Sequence, residues 1–270
     1  MPVTIGFIGA GNMGGALIKG LSGHQGQYEL VVYDLNTALT AEMSKQYPVR
    51  IVQSAARLTS ECQVIIAAVK PKIMESVLKE IAQAMDPSKL FITVAAGLPI
   101  GFYMKNLGDN CKIVRTMPNT PALIGQGMTV VSYGEHVSQE EKQLVREIFQ
   151  CVGEVEELEE KLMSEVIALT SSSPAYVFMF IEAMADAAVQ SGLPRSLSYT
   201  LAAQAVMGSA RMVLETGKHP GELKDMVCSP AGTTIEAVAA LERKGFRDCI
   251  ITAMKKCTAR AREIGRETGQ

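Results

Sequence analysis

An apolar run, Val3–Ile8, passes directly into Gly9-Ala-Gly11-Asn-Met-Gly14 and then into an amphipathic stretch, Met13–Leu21. A strand that ends in G-x-G-x-x-G and opens a helix is the first βα turn of a dinucleotide-binding sheet. Gly9 makes the tight turn, Gly11 lets the backbone meet a pyrophosphate, and Gly14 lets the helix pack on the strand. The expected cofactor loop is therefore Gly9, Ala10, Gly11, Asn12, Met13 and Gly14. Asp34 ends the second apolar run about 20 residues on, where a carboxylate accepts from the ribose hydroxyls and repels a 2′-phosphate. Leu35-Asn36-Thr37 offers no arginine to hold such a phosphate, so NADH is expected over NADPH. If Asp34 only caps the next helix, either cofactor fits.

The rest of the first half repeats this rhythm. Strands are expected at Leu30–Tyr33, Val64–Val69, Phe91–Val94, Ile113–Arg115 and Met128–Val131, with helices at Ala38–Gln46, Ile73–Met85 and Gln139–Phe149. Strands apolar on both faces and separated by helices indicate a parallel, doubly wound sheet. Ligands of such sheets lie beyond the carboxyl ends of the strands. Three further strand ends fall there. Ala68-Val69-Lys70-Pro71 and Ala95-Ala96-Gly97 are small enough for close approach to a cofactor, and Lys70 either touches phosphate or is simply solvated. In Met117-Pro118-Asn119-Thr120-Pro121 two prolines fix a rigid loop, and Asn119 is a candidate to position the nicotinamide amide or the substrate.

Beyond residue 157 strand formers become scarce. Glu156-Glu-Leu-Glu-Glu160 reads as an acidic helix start, followed by helical stretches at 162–191, 195–216, 220–228, 230–243 and 246–266. Pro174 implies either a kink or a helix start preceded by Ser171-Ser-Ser173. The expected class is an α/β Rossmann-type domain, 1–157, followed by an all-α dimerisation and substrate domain, 158–270. These helices are apolar on too many sides to be covered by their own domain, which points to an intertwined dimer.

Near the end comes Leu223-Lys-Asp-Met-Val-Cys-Ser229-Pro-Ala-Gly232-Thr233-Thr234, leading into an apolar helical run. Ser229 suits a helix cap, Pro230 the first helical position, and Gly232 close approach of a ligand. Thr233 and Thr234 add hydroxyls beside unpaired N–H groups, so the turn reads as a carboxylate site with a neutral hydrogen-bonding group next to it.

The formal charge is −2 and the pI about 6.0, which gives no case for nucleic acid or an anionic membrane. The most apolar run, Pro174–Ile181, is interrupted by Glu182 and Asp186 and is too short for a bilayer. Six scattered cysteines and three histidines form no zinc spacing, and no metal site is expected. Reduced thiols and the lack of a secretory pattern favour the cytoplasm.

Taken together, Gly9–Gly14, Ala68–Pro71, Ala95–Gly97, Met117–Thr120, Ser172-Ser-Pro-Ala-Tyr176 and above all 223–242 resemble the pyrroline-5-carboxylate reductase family along nearly the whole chain. The resemblance implies NAD(P)H-dependent reduction of a cyclic imine to L-proline, the last step of proline biosynthesis. It also implies dimers or rings of dimers, with the active site between the cofactor cleft and helices of the partner subunit. It places the substrate carboxylate at Ser229, Gly232, Thr233 and Thr234, with the Thr234 hydroxyl as the catalytic group facing the ring nitrogen. Ser171 and Ala231 depart from glycines common in that family, and Asp34 departs from members with an NADPH loop.

Two alternatives stand beside it. A 3-hydroxyacid dehydrogenase shares the fingerprint but needs an acid such as lysine on the long helix, and 162–191 contains no Lys, His or Arg. A nicotinamide-dinucleotide sensor without turnover has no need of the 229–234 turn. His219 and Lys224, near that turn, read as surface groups rather than acids.

Overall fold

The structure, a computed structural model, describes residues 2–24 and 26–267. The first unit begins β1 (Val3–Ile8), α1 (Asn12–Ser22), β2 (Tyr28–Tyr33), α2 (Thr37–Gln46), β3 (Val49–Ile51), α3 (Ala55–Glu61), β4 (Val64–Ala67) and α4 (Pro71–Ile81). It continues with β5 (Leu90–Thr93), α5 (Ile100–Leu107), β6 (Lys112–Met117), β7 (Gly127–Tyr133), α6 (Gln139–Gln150) and β8 (Gly153–Glu157). The strands form one sheet in the order β3-β2-β1-β4-β5-β6-β7-β8. Every pairing is parallel except β6 with β7. The order reverses between β1 and β4, where a doubly wound sheet opens its crevice.

Both faces of the sheet are covered, as the strand composition requires. In β4, Val64 and Ile66 join one core with Phe7, Leu17 and Phe149, while Ile65 and Ala67 join the other with Leu58, Leu78 and Tyr103. Alternate residues thus serve opposite cores, so no polar period appears in the strand.

Four elements were not expected: β3, β8, α3 and α5. The edge strand β8 has one buried residue, Val155, among glutamates, so it lacks the signature of an inner strand. Glu156 and Glu157 therefore end a strand instead of starting a helix, and only Glu160 begins a helical turn, a 3-10 turn over Glu160–Leu162. It is followed by α7 (Met163–Val166) and a π-helical turn, Ile167–Ser171.

Contacts divide the chain after Ser172. Residues up to Ser172 and from Cys257 on form one compact unit, and Ser173–Lys256 form the other, so 158–172 groups with the sheet. The helices that follow are α8 (Ser173–Gln190), α9 (Arg195–Thr216), α10 (Pro220–Val227), α11 (Thr233–Arg243) and α12 (Phe246–Glu267). Pro174 lies in the first turn of α8, where its missing N–H is tolerated, so it marks a helix start. Of α8 only Ala185 is buried, while Phe178, Met179 and Leu214 of α8 and α9 lie open. The helical stretch Glu160–Gln190 is, by length and composition alone, long and apolar enough to cross a membrane, longer than the apolar run suggested.

Candidate active site

The glycine loop divides its labour as the spacing predicts. Gly9 has φ +99°, and a Cβ there would meet the Ala68 carbonyl oxygen at 2.6 Å. A Cβ on Gly14 would lie 2.2 Å from the Gly9 oxygen, so the helix can sit on the strand only without one. At Gly11 a Cβ would meet nothing within 4 Å. The chain's own packing leaves that position free, which is the space a pyrophosphate requires. Gly11 is also the N-cap of α1 and no side chain accepts from the helix start. These N–H groups are open to an anion. The residues present thus fit a dinucleotide.

Asp34 fastens this loop. Its Oδ2 accepts from Ala10 N–H at 2.7 Å and its Oδ1 from Asn36 N–H at 2.8 Å. It is not the cap of the next helix. Asn36 caps α2, its Oδ1 accepting from Leu39 N–H at 3.2 Å. Each carboxylate oxygen keeps a further lone pair for a ribose hydroxyl. A cleft of about 500 Å³ opens beside it, lined by Tyr33, Asp34, Leu35, Thr37 and Thr40 among others, with no lysine or arginine in its wall.

Ala68, Val69 and Lys70 follow the end of β4, with Lys70 exposed at the cap of α4 and Pro71 at its first position. Ala95 N–H donates to Thr93 Oγ1 at 3.1 Å, and Gly97 has φ +85°. These loops and the glycine loop all lie at carboxyl ends of neighbouring parallel strands.

Asn119 ties two parts of the scaffold together. Its Oδ1 accepts from Met128 N–H at 2.9 Å and its Nδ2 donates to the Thr170 carbonyl at 3.0 Å. Both ends of the amide serve the scaffold, so Asn119 is a strut, with one Nδ2 hydrogen and one Oδ1 lone pair left over.

Sequence reasoning also missed Glu160. Its Oε1 accepts from Ile100 N–H at 2.6 Å and from Arg115 Nη1 at 3.2 Å. Arg115 is 2% exposed, and its Nε and Nη2 find no partner among the described residues. One carboxylate therefore joins the start of α5 and a buried guanidinium on β6. Nothing in the local charge run signals it, because both partners are remote in sequence. Within the π turn, Ser171 Oγ is buried without a partner among the described residues. Ser172 Oγ accepts from Cys257 Sγ at 3.2 Å.

In the second unit, Ser229, Gly232, Thr233 and Thr234 come together, but Ser229 is not a helix cap. Gly232 N–H donates to the Ser229 carbonyl at 3.0 Å, closing a turn in which Pro230 and Ala231 are the central residues. Ala231 has φ +56°, the left-handed conformation that the third position of a type II turn demands. The helix α11 starts only at Thr233, with Gly232 as N-cap and no side chain accepting from its first N–H groups. A Cβ on Gly232 would lie 2.3 Å from Ser229 Oγ, so the glycine makes room for the serine hydroxyl. The product is an exposed hydroxyl, two threonines and a set of unpaired N–H groups around one helix start, an arrangement that binds carboxylates. His219 Nδ1 accepts from Gly221 N–H at 3.0 Å, and Lys224 pairs with Asp225 at 2.6 Å. Each is thus committed locally.

A family model described as "Pyrroline-5-carboxylate reductase dimerisation" matches residues 160–264. Another, "NADP oxidoreductase coenzyme F420-dependent", matches residues 4–97. Pyrroline-5-carboxylate reductase of Escherichia coli (strain K12) is 48% identical over 98% of this chain and 100% of its own length. The structure of a pyrroline-5-carboxylate reductase from Coxiella burnetii superposes with a TM-score of 0.90 at 31% identity, covering 98% of this chain and 99% of that one. The Plasmodium falciparum pyrroline carboxylate reductase with NADP bound gives 0.87 at 33% identity, covering 97% and 98%. With identity at that level along its whole length, the chain belongs to the pyrroline-5-carboxylate reductase family.

Proposed function

We propose that the chain reduces the C=N bond of 1-pyrroline-5-carboxylate to L-proline with a nicotinamide dinucleotide. The observation that carries this reading is the open start of α11, where Gly232 caps the helix with no side chain on its N–H groups. That start holds the substrate carboxylate through Thr233 and Thr234 N–H groups and the Ser229 hydroxyl. The Thr234 hydroxyl hydrogen-bonds the ring nitrogen and sets the orientation of the ring.

A reduced nicotinamide, when bound, supplies the hydride. Gly9, Ala10, Gly11, Asn12, Met13 and Gly14 hold the pyrophosphate, Asp34 the adenosine ribose, and the small strand-end residues Ala68, Val69, Lys70, Pro71, Ala95, Ala96 and Gly97 border the cofactor. A cyclic imine protonated at nitrogen loses its charge as hydride reaches the carbon, and the product amine takes a proton from solvent. No acid is needed from the protein, in keeping with α8, which has no Lys, His or Arg. Orientation is then the main contribution, and it supplies about 7 kcal/mol or more in favourable models.

NADH is the preferred cofactor, supported by the carboxylate of Asp34 in a cleft without cationic residues. Self-association covers the open apolar side chains of α8 and α9. Glu182 and Asp186 on that helix favour a second copy of the chain over lipid as the cover. Rings of dimers belong to the same reading, as do a cytoplasmic location, which six free cysteines suit, and the absence of nucleic-acid partners, which a charge of −2 suits. The test is an assay of purified protein with the five-membered imine acid and with a 3-keto acid. Oxidation of reduced cofactor by the imine is expected, and oxidation by the keto acid alone contradicts the reading.

A further inference from the structure

Helix geometry gives each carbonyl its donor four residues on. For Thr170 that residue is Pro174, which has no N–H. The preceding π turn, Ile167–Ser171, closes through Ser172 N–H to the Ile167 carbonyl at 2.9 Å. Yet the Thr170 carbonyl is served. Asn119 Nδ2 donates to it at 3.0 Å from 51 residues away, while Asn119 Oδ1 accepts from Met128 N–H at 2.9 Å. The Thr170 hydroxyl points to its own helix, donating to the Val166 carbonyl at 3.2 Å.

We infer that Asn119 is a positioning residue for the reduction, supplying the donor that Pro174 removes and so fixing the π turn to the end of β6 and the start of β7. The inference rests on the proposed imine reduction for its functional consequence. Pro174 begins α8 cleanly but leaves the Thr170 carbonyl without a donor four residues on. Asn119 satisfies that carbonyl only when the π turn sits in one place relative to the loop that follows β6. Proline and asparagine thus act as a matched pair: one frees the carbonyl, the other addresses it. π turns are rare and concentrate at functional sites. A misplacement of about 1 Å that originates far from the chemistry can lower a rate roughly a hundredfold.

The experiment is a double-variant cycle on the full chain, with Asn119→Asp, Pro174→Ala and both together. The aspartate keeps the acceptor for Met128 but faces the Thr170 carbonyl with a second acceptor. Proline to alanine restores an N–H at 174 and gives that carbonyl its own donor. Expected for Asn119→Asp is a fall of at least tenfold in kcat/KM for the imine, with the dissociation constant of the reduced cofactor changed less than twofold. Adding Pro174→Ala recovers at least threefold of the loss. Unchanged kinetics in Asn119→Asp, or equal losses in the presence and absence of Pro174, overturn the inference. If Asn119→Asp does not fold, the double variant is expected to fold, and its failure to do so counts against the pairing. Absence of imine turnover by the unaltered chain removes the functional reading alone. The clamp is then judged by hydrogen exchange, which must quicken across 163–172 in Asn119→Asp and slow again in the double variant.

Discussion

The backbone N–H of Ala10 donates to Asp34 Oδ2 at 2.7 Å, so the carboxylate at the end of β2 holds the glycine loop at the end of β1. One side chain thereby shapes the glycine loop and lines a cleft of about 500 Å³. Replacing Asp34 with serine therefore has two effects that can be separated. NADH affinity falls about tenfold through the lost charged hydrogen bonds, about 1.4 kcal/mol. Discrimination against NADPH relaxes as the repulsive carboxylate leaves. Parallel titrations with both cofactors check this, and an undiminished NADH preference contradicts it.

Gly11 and Gly14 lie three residues apart in one loop, and their alanine variants should fail for different reasons. Gly14→Ala brings a Cβ to 2.2 Å from the Gly9 oxygen and lowers the unfolding temperature. Gly11→Ala meets nothing within 4 Å and leaves that temperature unchanged while weakening cofactor binding at least tenfold. Thermal melts with and without cofactor distinguish the two.

Much of this was legible in the sequence, for physical reasons. The inner strands announce themselves because both faces are buried. The edge strand β8 does not, since Val155 alone reaches the core. Ser229-Pro-Ala-Gly232 fits a helix cap or a type II turn equally well, and the usual mark of the turn, glycine at its third position, is replaced by Ala231 at φ +56°. Asn119 and Glu160 find their partners 51, 45 and 60 residues away, beyond the reach of any local pattern.

Ala231 gives a prediction of its own. Alanine tolerates the left-handed conformation, but a β-branched residue does so poorly. Ala231→Val should raise KM for the imine at least fivefold with little change in cofactor affinity. Ala231→Gly should leave both unchanged and keep the fold at least as stable. Equal KM values for all three would detach the turn from substrate binding.

Tyr103 is fully buried on the sheet, its hydroxyl 2.8 Å from Thr93 Oγ1. Burial pushes its pKa up to about 12, the Thr93 hydrogen bond pulling the other way. The folded state therefore keeps a proton that the unfolded chain gives up near pH 10. Stability that is complete below pH 10 should be lost as pH rises toward 12. Denaturant midpoints across that range check the slope, which Tyr103→Phe should make shallower. An unchanged alkaline slope in that variant would remove Tyr103 as its source.

Thr234→Ala should lower turnover on the imine at least tenfold, about 1.4 kcal/mol, with cofactor affinity within twofold. Thr234→Ser, which keeps the hydroxyl, should recover most of it. Identical kinetics in all three would reduce Thr234 to a residue of the helix start.

The most direct measurement follows the hydrogen itself. The unaltered protein is given 1-pyrroline-5-carboxylate and NADH deuterated at the transferring position, and the product is examined by mass spectrometry and NMR. One deuterium per proline, on the ring carbon beside nitrogen that bears no carboxylate, is the predicted result. Cofactor that binds but yields no labelled proline would contradict the account.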